Sequence, residues 1–261
     1  MKRFPLVSII MNCHNGEKYL KESIKSILVQ TYSNWELIFW NNKSTDNSEK
    51  IIKKFNDKRI KYYKSKKFLN LYESRNLALK KSKGRYITFL DVDDMWLKNK
   101  LKNQISFMLK NTNNYKMVYS NFYIEDQIKK RRYVPYQKLP SGNITQKLLN
   151  NYSIGILTVL IDKRIFTSTK FNKKYNIIGD FDFIIKISQN ITIGCIKKPL
   201  AVYRLHNENF SKQKIDLHVK ELKTWIRDNE KKLKKFSYSI YAIKKTIFIL
   251  NIKRFLRFLG V

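Results

Sequence analysis

Short apolar runs alternate with helical patterns along the first ninety residues, and this alternation constrains the fold more than any other feature of the sequence. Val7–Met11, Trp35–Trp40 and Tyr86–Leu90 are rich in β-branched and aromatic residues, as buried strands are. Glu17–Gln30 and Tyr72–Ser82 lie between them and carry apolar residues at helical spacing. This alternation predicts an α/β fold, with a mainly parallel central sheet flanked by helices on both faces.

The pattern is less regular after Leu90. We expect a helix at Trp96–Leu109, a strand at Gly155–Ile161, and a helix within Ile177–Ser188 that has two acidic residues at its head. From Asp216 onward the sequence is helical and basic.

The composition limits the class of protein without naming a function. Lys and Arg number 54 against 20 Asp and Glu, a net charge of +34, which attracts polyanions such as nucleic acid, anionic lipid or phosphorylated substrates. AT-rich coding would also produce many lysines. Cys13 and Cys195 lie far apart and indicate neither a disulfide framework nor a zinc site. Because we find neither a secretion signal nor a membrane-spanning run, we expect a cytoplasmic protein.

An acidic cluster, Asp91-Val92-Asp93-Asp94, follows the strand that ends at Leu90. Ligands of parallel α/β sheets bind at the carboxyl ends of the strands, and alternate residues of an extended segment point the same way. Asp91 and Asp93 can therefore converge on one cation, and oxygen ligands suit Mg²⁺ or Mn²⁺. The alternative is that Asp93 or Asp94 only caps the following helix.

Three segments match a known family in order and spacing. They are VSIIMNCHNGEKYL (7–20), SILVQTYSNWELIFWNNKSTDNS (26–48) and ESRNLALKKSKGRYITFLDVDD (73–94). Together they closely resemble the N-terminal half of family 2 glycosyltransferases of the GT-A fold. The resemblance is strong over residues 5–110 and continues weakly through IIGDFDFIIKIS and VYRLHNENFS to about residue 211.

The resemblance implies a domain organisation and a reaction. Residues 1–211 would form a Rossmann-like GT-A domain, with a nucleotide-binding half at 1–110 and an acceptor-side half at 111–211, and residues 212–261 would form a basic helical extension. The expected reaction is inverting transfer of a sugar from a nucleoside diphosphate to a hydroxyl acceptor. Mn²⁺ or Mg²⁺ is the expected cofactor, and cell-surface glycan assembly, of lipopolysaccharide, capsule or a similar polymer, is the expected role.

The resemblance places the nucleoside pocket at the loop after the first strand, formed by Asn12, Cys13, His14 and Asn15. The family more often has Pro-Thr-Tyr-Asn here, so His14 would stack on the base or ribose in place of the tyrosine. An ordinary polar contact is the alternative for this histidine.

The second donor motif departs from the family pattern. Where the family has Asp-Asp-Gly-Ser, with the second acid accepting a hydrogen bond from uracil N3–H, this chain has Asn41-Asn42-Lys43-Ser44. Asn42 can still accept through its carbonyl oxygen. A UDP-sugar is therefore the favoured donor, with the base left open, and the two asparagines could instead only turn the chain.

The remaining expected site residues also come from the resemblance. Asp93 would bind the metal, and Asp91 would bind the metal, a metal-bound water or the ribose, with Asp94 in support. Further contacts to the nucleotide or its diphosphate would come from Val92, Arg75, Arg204 and His206.

Asp180 matches the general base of inverting family members, which takes the proton of the acceptor hydroxyl. This chain has Gly179 where the family often has Glu, and we assign the nearby Asp182 to helix capping.

The C-terminal segment 212–261 holds 14 Lys and Arg residues against 4 Asp and Glu. Apolar residues recur there at near-helical spacing: Ile240, Ile243, Ile247, Phe248, Leu250, Phe255, Leu256 and Phe258. Such a helix can lie on an anionic membrane, here the inner face of the cytoplasmic membrane, which would suit a glycan or lipid-linked acceptor. The alternative is packing on its own domain or on a partner subunit. The oligomeric state stays open.

Two other function classes remain at this point. A nucleic-acid-binding protein would explain the charge but not the acidic cluster, so we expect no nucleic-acid partner. A metal-dependent nucleotidyltransferase would use similar carboxylates, but the N-terminal region lacks a glycine-rich phosphate loop.

Overall fold

The computed structural model describes residues 4–258. The strands are β1 Val7–Cys13, β2 Trp35–Asn41, β3 Ile60–Lys64, β4 Tyr86–Phe89, β5 Met95–Trp96, β6 Met117–Asp126, β7 Arg131–Tyr133, β8 Leu160–Asp162 and β9 Ile193–Leu205. The helices are α1 Glu17–Leu28, α2 Ser48–Lys53, α3 Leu71–Lys81, α4 Lys100–Lys110, α5 Thr145–Asn150, α6 Ile165–Ser168, α7 Gly179–Ser188, α8 Phe210–Gln213, α9 Ile215–Lys235 and α10 Tyr241–Phe258.

The strands form one curled sheet in the order β3-β2-β1-β4-β8-β6-β9-β5, with β7 paired to β6. The pairs β1–β2, β1–β4 and β2–β3 are parallel, and so is the long pair β6–β9. Strand β8 runs antiparallel between β4 and β6 and joins the two parallel regions. The predicted α/β class, with a mainly parallel sheet flanked by helices, is confirmed.

The central strands are buried on both faces, which explains their uninterrupted apolar sequences. Along β1, Ile9 and Met11 belong to the core that α1 and α4 cover. Ile10 points to the other core, to which Ala78 of α3 and Phe183 of α7 also belong. The helices therefore cover both sides of the sheet and fix which edge remains open.

Two predicted boundaries in the second half are wrong. The helix expected to begin at Trp96 begins at Lys100, because Met95 and Trp96 pair with β9 as a short strand and the Trp96 indole N–H donates to the Leu157 carbonyl oxygen at 2.9 Å. The strand expected at Gly155–Ile161 is a 3₁₀ turn at Ile156–Thr158 followed by β8.

The carboxyl ends of β1, β2 and β4 meet at one edge, where contacts between their loops fix the positions of the backbone. The backbone N–H of Asn42 donates to the Cys13 carbonyl oxygen at 2.7 Å, and the Ser23 hydroxyl of α1 donates to the Val92 carbonyl oxygen at 2.7 Å. A Cβ at Gly16 would lie 2.9 Å from the Val92 side chain, so only glycine lets α1 begin this close to the acidic cluster.

The helices α9 and α10 share an apolar core with the preceding domain. Leu222 and Trp225 of α9, and Ile243 and Ile247 of α10, are buried in the same cluster as Ile184 of α7. The division of the chain at residue 211 stays a prediction, and this shared core shows that its two parts pack together.

Glu221 of α9 also ties this helix to the domain, because its buried carboxylate accepts from three consecutive backbone N–H groups, those of Asn176, Ile177 and Ile178, at 2.6, 3.0 and 3.1 Å. Glu221→Ala would leave these donors without an acceptor, so we expect the free energy of unfolding to fall by about 2–4 kcal/mol in urea titrations. The exposed Asp216→Ala is the control and should change it by less than about 0.5 kcal/mol. An unchanged urea midpoint for Glu221→Ala would show that this anchor contributes nothing.

Candidate active site

A cleft of about 450 Å³ opens where the strands of the first half end. Asp91, Asp93 and Asp94 line one side, and Asp180, from the first turn of α7, lies in the same cleft. The chain fold thus brings the acidic cluster and the expected general base to one cavity. Tyrosine and isoleucine side chains form much of the remaining wall.

Arg75 of α3 lies beneath this cleft, and only 2% of the residue is exposed. Its Nη2 donates to Oδ1 of Asp91 at 2.5 Å, and its guanidinium carbon lies 5.4 Å from the centre of the Tyr72 ring and 5.8 Å from that of Phe89. The sequence placed Arg75 at the nucleotide. In this structure its guanidinium pairs with Asp91, whose side chain remains one-third exposed, and the contact of Arg75 with the nucleotide stays a prediction.

Asp93 faces His206, which comes directly after β9. His206 Nε2 lies 3.2 Å from Oδ2 of Asp93, and the backbone N–H of Glu208 donates to His206 Nδ1 at 3.2 Å. Nε2 also lies 3.2 Å from Nδ2 of Asn209, and the tautomer that leaves Nε2 unprotonated can ligate a cation beside Asp93. The two side chains thus place a carboxylate oxygen and an imidazole nitrogen side by side, as possible ligand atoms for a metal ion.

Asp94 holds the acidic cluster to β9. Its carboxylate is buried and accepts from the backbone N–H of Arg204 at 3.0 Å. Burial raises its pKa well above the usual carboxyl range, and the negative charges of Asp93 and Asp91 raise it further. Asp94 therefore fixes the geometry of the cluster, and it does not cap the following helix.

The side chain of Arg204 lies outside the cleft. Its guanidinium contacts Glu22 of α1, lies 3.9 Å from the Glu125 carboxylate, and is 5.0 Å from the centre of the Tyr19 ring. In this structure the guanidinium faces the protein's own carboxylates, and the expected contact between Arg204 and the diphosphate stays a prediction. The neighbouring Tyr203 lines the cleft in its place.

Asp180 lies against Tyr72. The Tyr72 hydroxyl is 3.3 Å from Oδ1 of Asp180, and the Phe181 backbone N–H donates to the same oxygen at 2.8 Å. Burial raises the pKa of Asp180, while the Arg75 charge and these hydrogen bonds oppose the rise. A Cβ at Gly179 would lie 2.4 Å from the Tyr72 ring, which explains why the glutamate common in the family cannot fit here.

Asp182 has a different role from the one predicted. Its buried carboxylate accepts from the Trp225 indole N–H of α9 at 2.9 Å, and we therefore correct its assignment from helix cap to anchor for α9. The partner is 43 residues away along the chain, so no local pattern could have indicated this contact.

Both polar atoms of the Asn42 side chain are hydrogen-bonded to the protein backbone. Its Nδ2 donates to the Leu69 carbonyl oxygen at 2.7 Å, and its Oδ1 accepts from the Leu69 backbone N–H at 3.1 Å. Asn12, on the neighbouring strand β1, differs, because both polar atoms of its buried side chain lack a hydrogen-bond partner in the structure. Because buried polar groups are normally hydrogen-bonded, this unpartnered amide makes Asn12 a candidate for a ligand contact.

The other residues of the donor loop have distinct places. His14 is exposed, its Nδ1 donates to the Asn42 carbonyl oxygen at 3.0 Å, and its ring centre lies 4.6 Å from that of Phe68. Cys13 is buried, and burial raises the pKa of its thiol. Asn15 has a positive φ of 53° and accepts from the Thr45 backbone N–H at 2.8 Å, which closes the loop.

Sequence reasoning missed the aromatic residues that line the cleft, among them Tyr72 and Tyr152, and also Phe68, which packs beside His14. Tyr72 precedes Arg75 by three residues on α3, and this spacing on one helix face could have indicated it. Phe68 and Tyr152 lie in segments without a regular pattern, and only the fold brings Phe68 beside His14 and Tyr152 into the cleft.

Comparison with known proteins agrees with this geometry. Residues 8–178 match the family model for glycosyl transferase family 2. The chain belongs to glycosyltransferase family 2. It is 37% identical over 220 residues to the *Escherichia coli* enzyme named UDP-Glc:α-D-GlcNAc-diphosphoundecaprenol β-1,3-glucosyltransferase WfgD, covering 84% of this chain and 83% of that protein.

Solved structures show the same fold. *S. aureus* TarS 1–349 in complex with UDP-GlcNAc superposes with a TM-score of 0.68 at 18% identity, covering 84% of this chain and 66% of that one. The mannosyltransferase PcManGT of *Pyrobaculum calidifontis*, in complex with GDP-Man and Mn²⁺, gives a TM-score of 0.64 at 12% identity, covering 87% and 65%. This chain thus spans about two thirds of the TarS 1–349 chain and of the PcManGT chain. Family membership decides against the two other function classes.

GT-A enzymes commonly use a divalent metal ion, and the donor set at Asp93 and His206 fits such an ion. Within residues 4–258 no three His, Cys, Asp or Glu side chains converge as a closed metal site would require. An open site suits this chemistry, because Mg²⁺ and similar ions in phosphate-binding sites are held by one or two side chains, substrate phosphates and water.

The hydrogen bonds between Asn42 and Leu69 let us predict the effect of Asn42→Asp, which restores the aspartate of the family pattern. In Asn42→Asp a carboxylate oxygen would face the Leu69 carbonyl oxygen, so the free energy of unfolding at pH 7 should fall by about 1–3 kcal/mol. The repulsion raises the pKa of the new carboxyl group in the folded protein. The deficit should therefore shrink near pH 4, where the protonated group can donate again. Asn113→Asp at an exposed turn is the control, and equal effects in both variants would contradict the assignment.

Proposed function

We propose that the protein is an inverting glycosyltransferase that moves a hexose from UDP to a hydroxyl group of a lipid-linked glycan during cell-surface glycan assembly. The observation that carries this proposal is that one cleft contains both Asp180, a carboxylate of raised pKa, and the Asp91–Asp94 cluster. The name of WfgD, a UDP-glucose-dependent enzyme acting on a GlcNAc-diphospholipid, supports the donor and the lipid linkage of the acceptor.

Asp93 and His206 would hold Mn²⁺ or Mg²⁺ beside the diphosphate of the donor. A divalent cation there neutralises the charge that develops on the leaving diphosphate. Asp91, held in place by Arg75, would contact the ribose or complete the ligand set with its exposed part. Buried Asp94 keeps these residues in position through β9.

Asn12 is the residue best placed to recognise the base, since the amide of Asn42 is occupied. Its carbonyl oxygen can accept from uracil N3–H while its amide nitrogen donates to a uracil carbonyl oxygen. The rings of His14 and Phe68, which lie together at this loop, would form the stacking surface. Cys13, Asn15 and Val92 would contribute to donor binding by holding the backbone of their loops in position.

Asp180 would act as the general base on the acceptor hydroxyl. Burial brings its pKa closer to the operating pH, which strengthens a carboxylate as a proton acceptor. The Tyr72 hydroxyl and the Phe181 backbone N–H hold one carboxylate oxygen, and this leaves the other oxygen for the substrate. Inversion follows when this base acts on the sugar face opposite the diphosphate.

Asp180→Asn tests the proposed reaction. The variant keeps the volume of the side chain but cannot accept the proton, so we expect transfer to fall about a hundredfold or more. Mn²⁺-dependent stabilisation by UDP-glucose in thermal-shift assays should remain, because the donor side is intact. Asp182→Asn is the matched control and should keep most activity, since its amide oxygen can still accept from Trp225. Full activity of Asp180→Asn would refute the assignment.

The sequence suggested that the apolar residues of the C-terminal helix form one membrane-facing surface. In the structure they lie on more than one side of the helix. Ile240, at the start of the helix, and Ile243 and Ile247 within α10 are buried in the protein core. We therefore correct the prediction for Ile240, Ile243 and Ile247, which do not belong to the expected membrane face. The side chains of Leu256 and Phe258 lie outside the described residues.

A second apolar stripe of α10 faces outward. Tyr241, Phe248, Ile252 and Phe255 are spaced by seven, four and three residues and share one helix face, and they are 75, 65, 44 and 61% exposed. Lysine side chains flank this stripe at positions 244 and 245. None of the described helices is long and apolar enough to cross a membrane.

An aromatic stripe between lysines fits an anionic bilayer surface, and we place it at the inner face of the cytoplasmic membrane. Replacing both Phe248 and Phe255 by Ser should reduce binding to phosphatidylserine-containing vesicles about tenfold or more in sedimentation assays, and salt should weaken the remaining binding. Replacing exposed Phe4 and Val29 by Ser is the control, because they lie on the first half of the chain. Equal vesicle binding by both double variants would rule out the stripe as the contact.

A further inference from the structure

A second groove continues from the active cleft toward the C-terminal helices. It measures about 430 Å³ and lies between α5, α7, α9 and α10. Tyr152, Ile177, Asp180 and Ser211 line both the cleft and this groove, so the two cavities meet at the proposed general base. A substrate that presents a hydroxyl group to Asp180 can therefore extend into the groove.

The walls and rim of the groove have a composition that differs from the rest of the protein. Leu148, Phe181, Leu222 and Ile243 form apolar walls, and exposed polar residues, among them Thr246 of α10, form the rim. Lys and Arg make up 54 of the 261 residues of the chain, yet none of the described lining residues is one of them. A diphosphate buried here would lack a cation, which is unfavourable.

Asn150, Asn151 and His218 add neutral hydrogen-bonding groups to the groove. Burial lowers the pKa of His218, and its imidazole is therefore uncharged at neutral pH. Amide groups above apolar walls match a sugar ring, which has hydroxyl groups around its edge and C–H groups on its faces.

Tyr152 marks the junction of the two cavities. Its hydroxyl group is buried and has no hydrogen-bond partner among the described residues, and its ring centre lies 5.2 Å from that of Phe181. Burial, and then the charge of Asp180, raise the pKa of this hydroxyl well above its ordinary value, so it stays protonated and can donate. A buried donor without an acceptor beside the proposed base indicates a contact with substrate.

We propose that this groove is an acceptor subsite for an uncharged sugar residue, the one joined to the sugar that is glycosylated at Asp180. The inference rests on the proposed glycosyl transfer and specifies its acceptor. The Tyr152 hydroxyl bonds the acceptor at the junction, and the second sugar packs between α5 and α10. The acceptor then contains at least two sugar residues, and a lipid diphosphate lies beyond the rim at Thr246.

The test compares uncharged monosaccharides with disaccharides, as methyl glycosides ending in glucose, galactose or their N-acetylamino forms. Binding to the full chain with UDP bound is measured by calorimetry. At least one disaccharide should bind about tenfold more tightly than its own terminal monosaccharide. Thr246→Trp, which fills the exposed rim, should remove this gain, and Tyr152→Phe should reduce it severalfold. Ile249→Trp, an exposed α10 position outside the groove lining, should keep it.

The outcomes separate this inference from the proposed function. Absence of any disaccharide gain, or a gain that survives Thr246→Trp, overturns the subsite while UDP binding and UDP-glucose hydrolysis still support a transferase. Competition by a short alkyl diphosphate for the groove also overturns it, because the occupant is then the lipid diphosphate. Failure to bind any UDP-sugar would instead refute the proposed donor chemistry.

Discussion

The buried guanidinium group of Arg75 is the interaction on which the geometry of the cleft depends. It pairs with Asp91 at the end of one strand, and its charge lowers the pKa of Asp180, which burial otherwise raises. The rings of Tyr72 and Phe89 exclude water around it. A buried charge of this kind is costly unless it is paired, so the arginine and the carboxylates fix one another's positions. One cation thus organises the donor side and the acceptor side together.

Much of the fold was predictable because its determinants are local. The apolar runs of β1, β2 and β4 identify buried parallel strands, and the strand-end rule places Asp91–Asp94 and the Asn12 loop at one edge. The errors have a common cause, which is contact between distant segments. Trp96 pairs with β9, Asp182 binds Trp225, and Ile243 is buried against the domain, and none of these contacts has a periodic signature.

The donor loop shows how a departure from a family pattern can conserve backbone shape while changing side-chain roles. Lys43 stands where the family has glycine, yet it keeps a left-handed φ of 64°, a conformation that costs a residue with a Cβ about 1–2 kcal/mol. The Asn41 side chain supports this turn by accepting from the Ser44 backbone N–H at 2.8 Å. The nitrogen and the oxygen of the Asn42 side-chain amide both bond the Leu69 backbone, and this constrains the loop further. In the proposed donor site, base recognition is therefore assigned to the amide of Asn12, which has no hydrogen-bond partner among the described residues.

The distribution of charge in the protein favours an anionic donor and an acceptor that is uncharged next to Asp180. A net charge of +34 draws nucleotides and anionic lipid to the protein from all sides. Inside the cleft, by contrast, Asp91, Asp93, Asp94 and Asp180 lie together, and Arg75 is the one Lys or Arg among the described lining residues, so negative charge remains for a cation that arrives with the diphosphate. The adjoining groove has neither lysine nor arginine among its described lining residues. A substrate that spans both cavities must therefore be uncharged next to Asp180 and can carry its phosphates only outside the rim.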